Sequence, residues 1–484
     1  MTSKTPDIVP FTSPFRGELL SPVQLRSLKQ GTLRLLDEVG IHFPSQEALE
    51  IFADHRARVD WDGQTVRIPP DLVDRAMSTA PRSFTLGGRE ERFDLTLDGS
   101  CSYLCTDGTG VHVADLETRE MRPSCKEDVA MMAQVCDALP LVSFFWPPVS
   151  AQDYGTTAPL HQCHAALIHT LKHIRGGMTV APPLAHYAVE MATVVAGSER
   201  QRRRRPPICA NICTIAPLAH DDDGLATALT YAEAGIPTSF MAMPTMGSTA
   251  PATPLGALVV GDAEVVSGMV LLQLAHPGAP VFHSIIPSLM HPRTGGYIGE
   301  VFAPVTMIAV QLAHAWGVPS LGGGSLSTDS ATIDWQAGSD GGRGSALVPL
   351  IGGEICGYMG LTDSSMVLYP EKVILDHELC RGAYDLLHGF SFDDRDMALD
   401  VIAEVGPRGH FLAEQHTRRH IRDFRLSKLL HEHAGDPSPR APREVAREEF
   451  KRIYETHQPR PLEPAVLAEL DRILAAAERE AERK

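Results

Sequence analysis

The 484-residue sequence has no apolar leader and no unbroken apolar stretch long enough to cross a membrane. The N-terminus, MTSKTPDIVPFTSPFRGELL, offers no hydrophobic core of a signal peptide. The most apolar runs, near 255–274 and 301–315, are interrupted by Asp262, Glu264 and Gln311. A cytoplasmic protein without a membrane partner is expected. Positive charge is short as well: Lys and Arg number 43 against 60 Asp and Glu, for a net charge of −17. That argues against nucleic acid as a partner. Cysteines number nine, an odd and scattered set that does not fit a secreted disulfide framework. The close pairs Cys101/Cys105 and Cys209/Cys213 lack a second pair, or a nearby pair of histidines, to complete four zinc ligands. Reduced thiols and no metal on the chain are expected. Also missing are HExxH, GxSxG, the Walker A pattern, and GxGxxG after a strand. Zinc hydrolases, α/β-hydrolases, P-loop enzymes and a Rossmann start are thereby disfavoured.

What is present changes texture along the chain. Residues 1–125 form a helical region with a small antiparallel sheet. Helical spacing and Ser or Pro start signals mark SPVQLRSLKQGTLRLLDEVGIHF, SQEALEIFADHRARV and VRIPPDLVDRAMSTAP; alternation marks FDLTLDG, SYLCTDGTGVHVADL and REMRP. From about 126 to 430, helical stretches alternate with short apolar runs at 141–149, 174–180, 208–215, 237–243, 280–286, 318–323 and 355–361. Several helices end in a glycine followed by proline: AEAGIP, HPGAPV and AWGVPS. A βα repeat of this spacing predicts a parallel sheet closed as a TIM-type (β/α)8 barrel, with an open doubly wound sheet as the runner-up. The eighth strand is either HFLAEQH at 410–416 or one of the early strands. Residues 431–484 read as charged amphipathic helices on the exterior, available as an oligomer contact, and a homo-oligomer is expected. The run RQRRRR at 200–205 reads as a solvated loop.

Barrel enzymes place their chemistry at the C-terminal ends of the strands. That rule selects Trp146, Asp153 and Tyr154; Gly177 and Met178; Asn211; Met243, Met246, Ser248 and Thr249; Phe282, His283 and Ser284; Ser325, Thr328 and Asp329; and Tyr358, Met359, Asp363 and Ser364. The set is poor in acids and bases. His283 is its one clear titratable residue inside an apolar run, and a histidine satisfied within the core fits that position too. Aromatics beside carboxylates suit a quaternary ammonium, through cation–π attraction and charge. The stretch LGGGSLSTDSATIDWQAG at 321–338 has the glycines of a phosphate loop. It lacks the following GK[ST] and comes after a late strand, so it reads as a strand end and its βα loop.

Several long motifs then resemble the trimethylamine methyltransferase family: MGSTAPATPLGALVVGDAEVVSGMVLLQLAHPGAPV at 246–281, STDSATIDWQAG at 327–338 and VGPRGHFLAEQHT at 405–417. The early LLDEVGIHF and VRIPPDLVDRA match as well. The resemblance spans about residues 20 to 480. It implies an α/β barrel that moves a methyl group from a methylamine-type donor to the Co(I) of a corrinoid held by a small partner protein. With only the twenty standard residues, the chain resembles the branch without pyrrolysine, whose members demethylate glycine betaine and similar quaternary amines. No DxHxxG corrinoid motif occurs, and DHELCRG at 376–382 has the wrong order, so the corrinoid is expected on the partner.

Under this reading Asp329, His283 and Tyr358 are the candidate catalytic residues. Trp146, Tyr154, Asn211, Met246, Phe282, Ser325, Thr328 and Arg343 are the candidates for substrate binding. Asp329 would face the cation, and Gly322, Gly323 and Gly324 would let the backbone approach it. Asp334 reads as a charge at a helix start. Arg343 lies in a glycine-rich segment that departs from the family pattern; it would either reach a substrate carboxylate or form a surface ion pair. A sulfonium or tertiary amine donor, or quaternary-amine binding without turnover, are the alternative functions.

Overall fold

The computed structural model describes residues 4–12, 16–177, 181–299, 303–388, 393–423, 427, 429 and 440–483. Eight parallel strands form one sheet in chain order: β1 Tyr103–Thr106, β2 Phe144–Phe145, β3 His173–Gly177, β4 Ile208–Cys213, β5 Thr238–Ala242, β6 Val281–Ile285, β7 Leu321–Ser325 and β8 Ile355–Met359. β8 pairs with β1, and a parallel bridge from His283 to Ser320 joins β6 to the entry of β7, so the sheet closes into a barrel. Each strand leads to a helix: α1 Lys126–Asp137, α2 Ala158–His169, α3 Pro182–Ala196, α4 Asp222–Ala234, α5 Pro254–Ala275, α6 Ala303–Trp316, α7 Trp335–Ile351 and α8 Lys372–His388. The molecule is a TIM-type (β/α)8 barrel.

The eighth strand sought in the sequence is the first in the barrel. Tyr103–Thr106 leaves the early region to pair with β2 and β8, ahead of the change in texture at 125. HFLAEQH forms no strand; its last two residues begin the helix Gln415–His420. The glycines of AEAGIP, HPGAPV and AWGVPS all take positive φ: 73° at Gly235, 86° at Gly278 and 76° at Gly317. Gly235 and Gly317 directly follow their helices, and Gly278 lies in the turn just past the His276 cap of α5, each where a β-carbon would be strained.

Side chains alternate across each strand. Tyr103, Cys105, Phe144, Trp146, Cys209, Met241, Phe282, Leu321 and Ile355 pack inside the barrel, and a hairpin of Phe84–Leu86 and Leu95–Leu97 joins them there. Helix Pro22–Arg34, capped by Ser21 and Gln24 as its SPVQ start predicts, lies against α5 and α6. α5 is the one described helix long and apolar enough to span a membrane, and 78% of its apolar window is buried within the barrel wall. The tail forms helices Pro442–Thr456 and Pro464–Ala481, whose Phe450, Ile453, Leu470, Ile473 and Leu474 join the outer core.

Candidate active site

A cavity of about 200 Å³ lies at the C-terminal ends of the strands. Its walls carry Trp146, Tyr297, Tyr358, Met241, Met243 and Met307; two carboxylates, Asp107 and Asp329, face it. Ile285, Pro287, Leu347 and Ile351 complete an apolar lining, and Thr328 and Arg343 stand at its edge.

Three local devices shape it. First, Thr106 at the end of β1 ties down the chain after β2: its hydroxyl donates to the Trp146 carbonyl at 2.6 Å and accepts from the Trp146 N–H at 2.8 Å. Gly108 then passes so close to the indole that a β-carbon would lie 2.5 Å from Trp146 Nε1. Second, β8 is bulged against β1 between Cys356 and Met359. Gly357 and Tyr358 take φ of 108° and 45° there, and Tyr358 turns its ring into the barrel, 6.0 Å from that of Trp146. A bulky residue rarely adopts that φ, so the bulge stores strain at the site. Third, Ser364 and Ser365, both left-handed in the loop after β8, each hold one carboxylate. Ser364 Oγ donates to Asp329 Oδ1 and Ser365 Oγ to Asp107 Oδ2, both at 2.6 Å. Asp329 also accepts the Gly299 N–H, at 3.0 and 3.1 Å to its two oxygens.

The electrostatics follow from burial. Loss of solvent pushes the Asp107 carboxyl up to about 6, against the pull of its hydrogen bonds from Ser365 and the Gly108 N–H. Burial likewise drives the Tyr358 phenol well above its usual range, so it is a neutral donor. Arg343 is half exposed and pairs with Asp340 at 2.8 Å, while Asp340 accepts the Thr328 hydroxyl at 2.7 Å.

Of the residues selected from sequence, Asp329, Tyr358, Trp146, Thr328, Arg343, Met243 and Ser364 meet at this cavity. Arg343 forms the ion pair expected of it, with Asp340, at the edge of the cavity. Asp334 caps α7, accepting the Ala337 N–H at 3.0 Å. The other candidates lie elsewhere. His283 points outward from β6 to Asp262 at 2.7 Å, because on a strand its neighbours Phe282 and Ser284 take the inner face. Phe282 is inside but packs on Phe84, ring centroids 5.3 Å apart. Tyr154 is a surface residue stacked on His161. Met246 is buried in the short pairing of 245–246 with 288–289, outside the cavity wall. Asn211 lies deeper in the barrel, accepting from Ser239 Oγ at 2.5 Å. Ser325 closes β7; its side chain, like Met178, lies outside the described residues.

With the geometry in place, comparison with known proteins decides the lineage. The sequence profile described as trimethylamine methyltransferase (MTTB) matches residues 5–482. The chain belongs to the trimethylamine methyltransferase family. A trimethylamine methyltransferase MttB of Desulfitobacterium hafniense is 31% identical over 95% of this chain and 94% of its own length. A glycine betaine methyltransferase of the same species is 28% identical over 94% and 96%. A solved structure of the Methanosarcina barkeri monomethylamine methyltransferase MtmB covers 90% of this chain and 92% of its own, at 12% identity and a TM-score of 0.43. The chain is therefore a methyltransferase of this family, and the cavity is its candidate active site.

Asp107 and Arg175 are among the residues that escaped sequence reasoning. Asp107 follows β1, a strand of four residues whose ladder partner β8 lies some 250 residues away, so nothing local marks it as a strand end. Arg175 sits inside an apolar run, where only the parity of β3 decides that it points inward.

Proposed function

We propose that the protein moves a methyl group from a quaternary amine of betaine type to the Co(I) of a corrinoid carried by a partner protein. One observation carries the reading. Among the described residues lining the cavity there is no cysteine, histidine or lysine, while aromatic rings, methionines and two anchored carboxylates surround the space. A quaternary nitrogen needs no proton donor: the C–N bonding pair stays on nitrogen as the methyl departs, and the amine leaves neutral. The acceptor supplies the nucleophile. The protein's task is to bind the cation, aim one methyl at the mouth and exclude water. Trp146 and Tyr358 offer π faces to an onium group, and Asp107 and Asp329 offer charge.

The rim supports a docking partner. Trp335 is 88% exposed at the start of α7, and Tyr297, Met243 and Met366 are exposed in neighbouring βα loops. Large apolar side chains gathered around a site mouth mark an interaction face.

The test is reduction of cobalamin to cob(I)alamin, addition of the full-length protein with candidate methyl donors, and spectroscopic observation of corrinoid methylation. Methylation by a trimethylammonium compound is expected. Asp329→Asn should weaken donor binding by about 10-fold or more without changing the fold. Activity with sulfonium or tertiary amines alone, or binding with no transfer at all, would overturn the reading.

A further inference from the structure

Deeper in the barrel than the carboxylates lies a cluster that methyl transfer does not explain. Arg175 on β3 is fully buried, with its guanidinium 3.8 Å from the centre of the Trp146 ring. Among the described residues its one hydrogen bond is a long one, Nη2 to Ser239 Oγ at 3.4 Å. Arg175 Nε and Nη1, the Tyr358 hydroxyl, Ser284 Oγ and Trp146 Nε1 are all buried and find no hydrogen-bond partner among the described residues. A guanidinium removed from water without a counter-ion is costly, and each buried donor left unmade adds to that cost. Every one of these groups can donate, and the guanidinium and indole can only donate. Such a set fits an anion.

The cluster adjoins the cavity, because Trp146 and Tyr358 belong to both its wall and the cluster. Ser284 Oγ and Tyr358 Oη also approach a common point. Each lies 3.9 Å from where a β-carbon on Gly322 would stand. Gly322 itself has φ of 136°, so position 322 is held to a residue without a side chain and the space stays open.

We propose that Arg175, with Tyr358 and Ser284, receives a carboxylate carried by the methyl donor. The donor is then a zwitterion, lying with its carboxylate inward and its onium group toward the mouth. The polarity of the site matches that orientation: positive at the inner end through Arg175, negative toward the rim through Asp107 and Asp329. It also leaves the methyl groups on the side from which an acceptor can arrive. The orientation rests on the methyl-transfer reading; the anion subsite itself does not.

The test is calorimetric titration of the full-length protein with trimethylammonium carboxylates having one to three methylenes between nitrogen and carboxylate. Choline serves as the matched cation without a carboxylate. Wild type should bind the best of the series about 10- to 100-fold tighter than choline, the worth of a charge-assisted hydrogen-bond pair. Arg175→Met should abolish that preference, and Arg175→Lys should retain part of it. Equal binding of choline by wild type, or an undiminished preference in Arg175→Met, would overturn the subsite. The wild-type ratio needs no variant to fold. If the zwitterion binds selectively yet never methylates cob(I)alamin, the subsite stands and the methyl-transfer reading fails. If choline donates methyl as readily as the zwitterion, the reading stands and the subsite fails.

Discussion

Asp107 shows how a single residue can serve the site at the expense of the fold. Burial holds its carboxyl up at about 6, above the 3.8 of an exposed aspartate. A raised folded-state value contributes stability that is fully present below pH 3.8 and is lost as pH rises through 6. At neutral pH the ionised group therefore costs about 3 kcal/mol relative to an unperturbed carboxylate. Asp107→Asn should raise the melting temperature at pH 7.5 and change it little at pH 4. The same substitution should weaken cation binding and remove any decline in affinity between pH 7 and 5. A variant that melts lower than wild type at pH 7.5, with affinity intact, would show that Asp107 is structural and that Asp329 acts alone.

At the scale of elements, His283 and Asp262 illustrate what a sequence withholds. The three aspartate contacts join separate pieces of the molecule: Thr32 Oγ1 from the N-terminal helix at 2.6 Å, His283 Nε2 from β6 at 2.7 Å, and Trp316 Nε1 from α6 at 3.0 Å. They meet beside the bridge that closes the barrel. Asp262→Ala would strand three buried polar groups and should destabilise the protein by about 3–5 kcal/mol in chemical denaturation. Donor affinity of the folded protein should be unchanged; a loss of turnover with stability intact would instead return His283 to the active site. Residue type made His283 conspicuous, but one position of strand parity turns it from the lumen to the wall. The same parity conceals Arg175 in an apolar run. The barrel itself was readable because helical stretches alternating with short apolar runs, several of them ending in glycine, are local signals. β1 was readable as a strand, and an early strand was one of the two choices for the eighth, but its place in the barrel was not, since it depends on pairing with β8 far along the chain. Thr328 and Asp329 were readable because β7 ends in glycines and polar residues, and Ser364 because it follows the last strand; Ser365, which holds Asp107, was not, because no local pattern marks the left-handed turn that aims it.

For the molecule as a whole, the histidines set the pH range in which the barrel survives. Burial holds several of them neutral: among these it pulls the fully buried His173 and His220 down to about 4 and about 3, and the partly buried His377 down to about 4, from 6.5. They lie far apart. His173 meets the Gly87 carbonyl beneath β3, His377 accepts the Leu141 N–H from α8, and His220 is stacked on Phe43 and bonded to Ser267. A lowered histidine pKa means that the unfolded chain binds protons the folded one refuses, so stability falls as pH drops below 6.5. Each group contributes about 1.4 kcal/mol per pH unit once well below that value. Asp107 opposes them between 6 and 3.8, with the weight of one group against three. The net loss near pH 5 is about 3 kcal/mol per unit, steep enough to unfold a protein of ordinary stability within two units. Melting temperature should hold between pH 7 and 8 and fall sharply from pH 6 to 4.5. Replacing His220 with Gln, which keeps a donor toward Ser267 but cannot take up the proton, should flatten that fall by about a half; a profile that stays flat in wild type would mean these histidines are not held neutral by the fold.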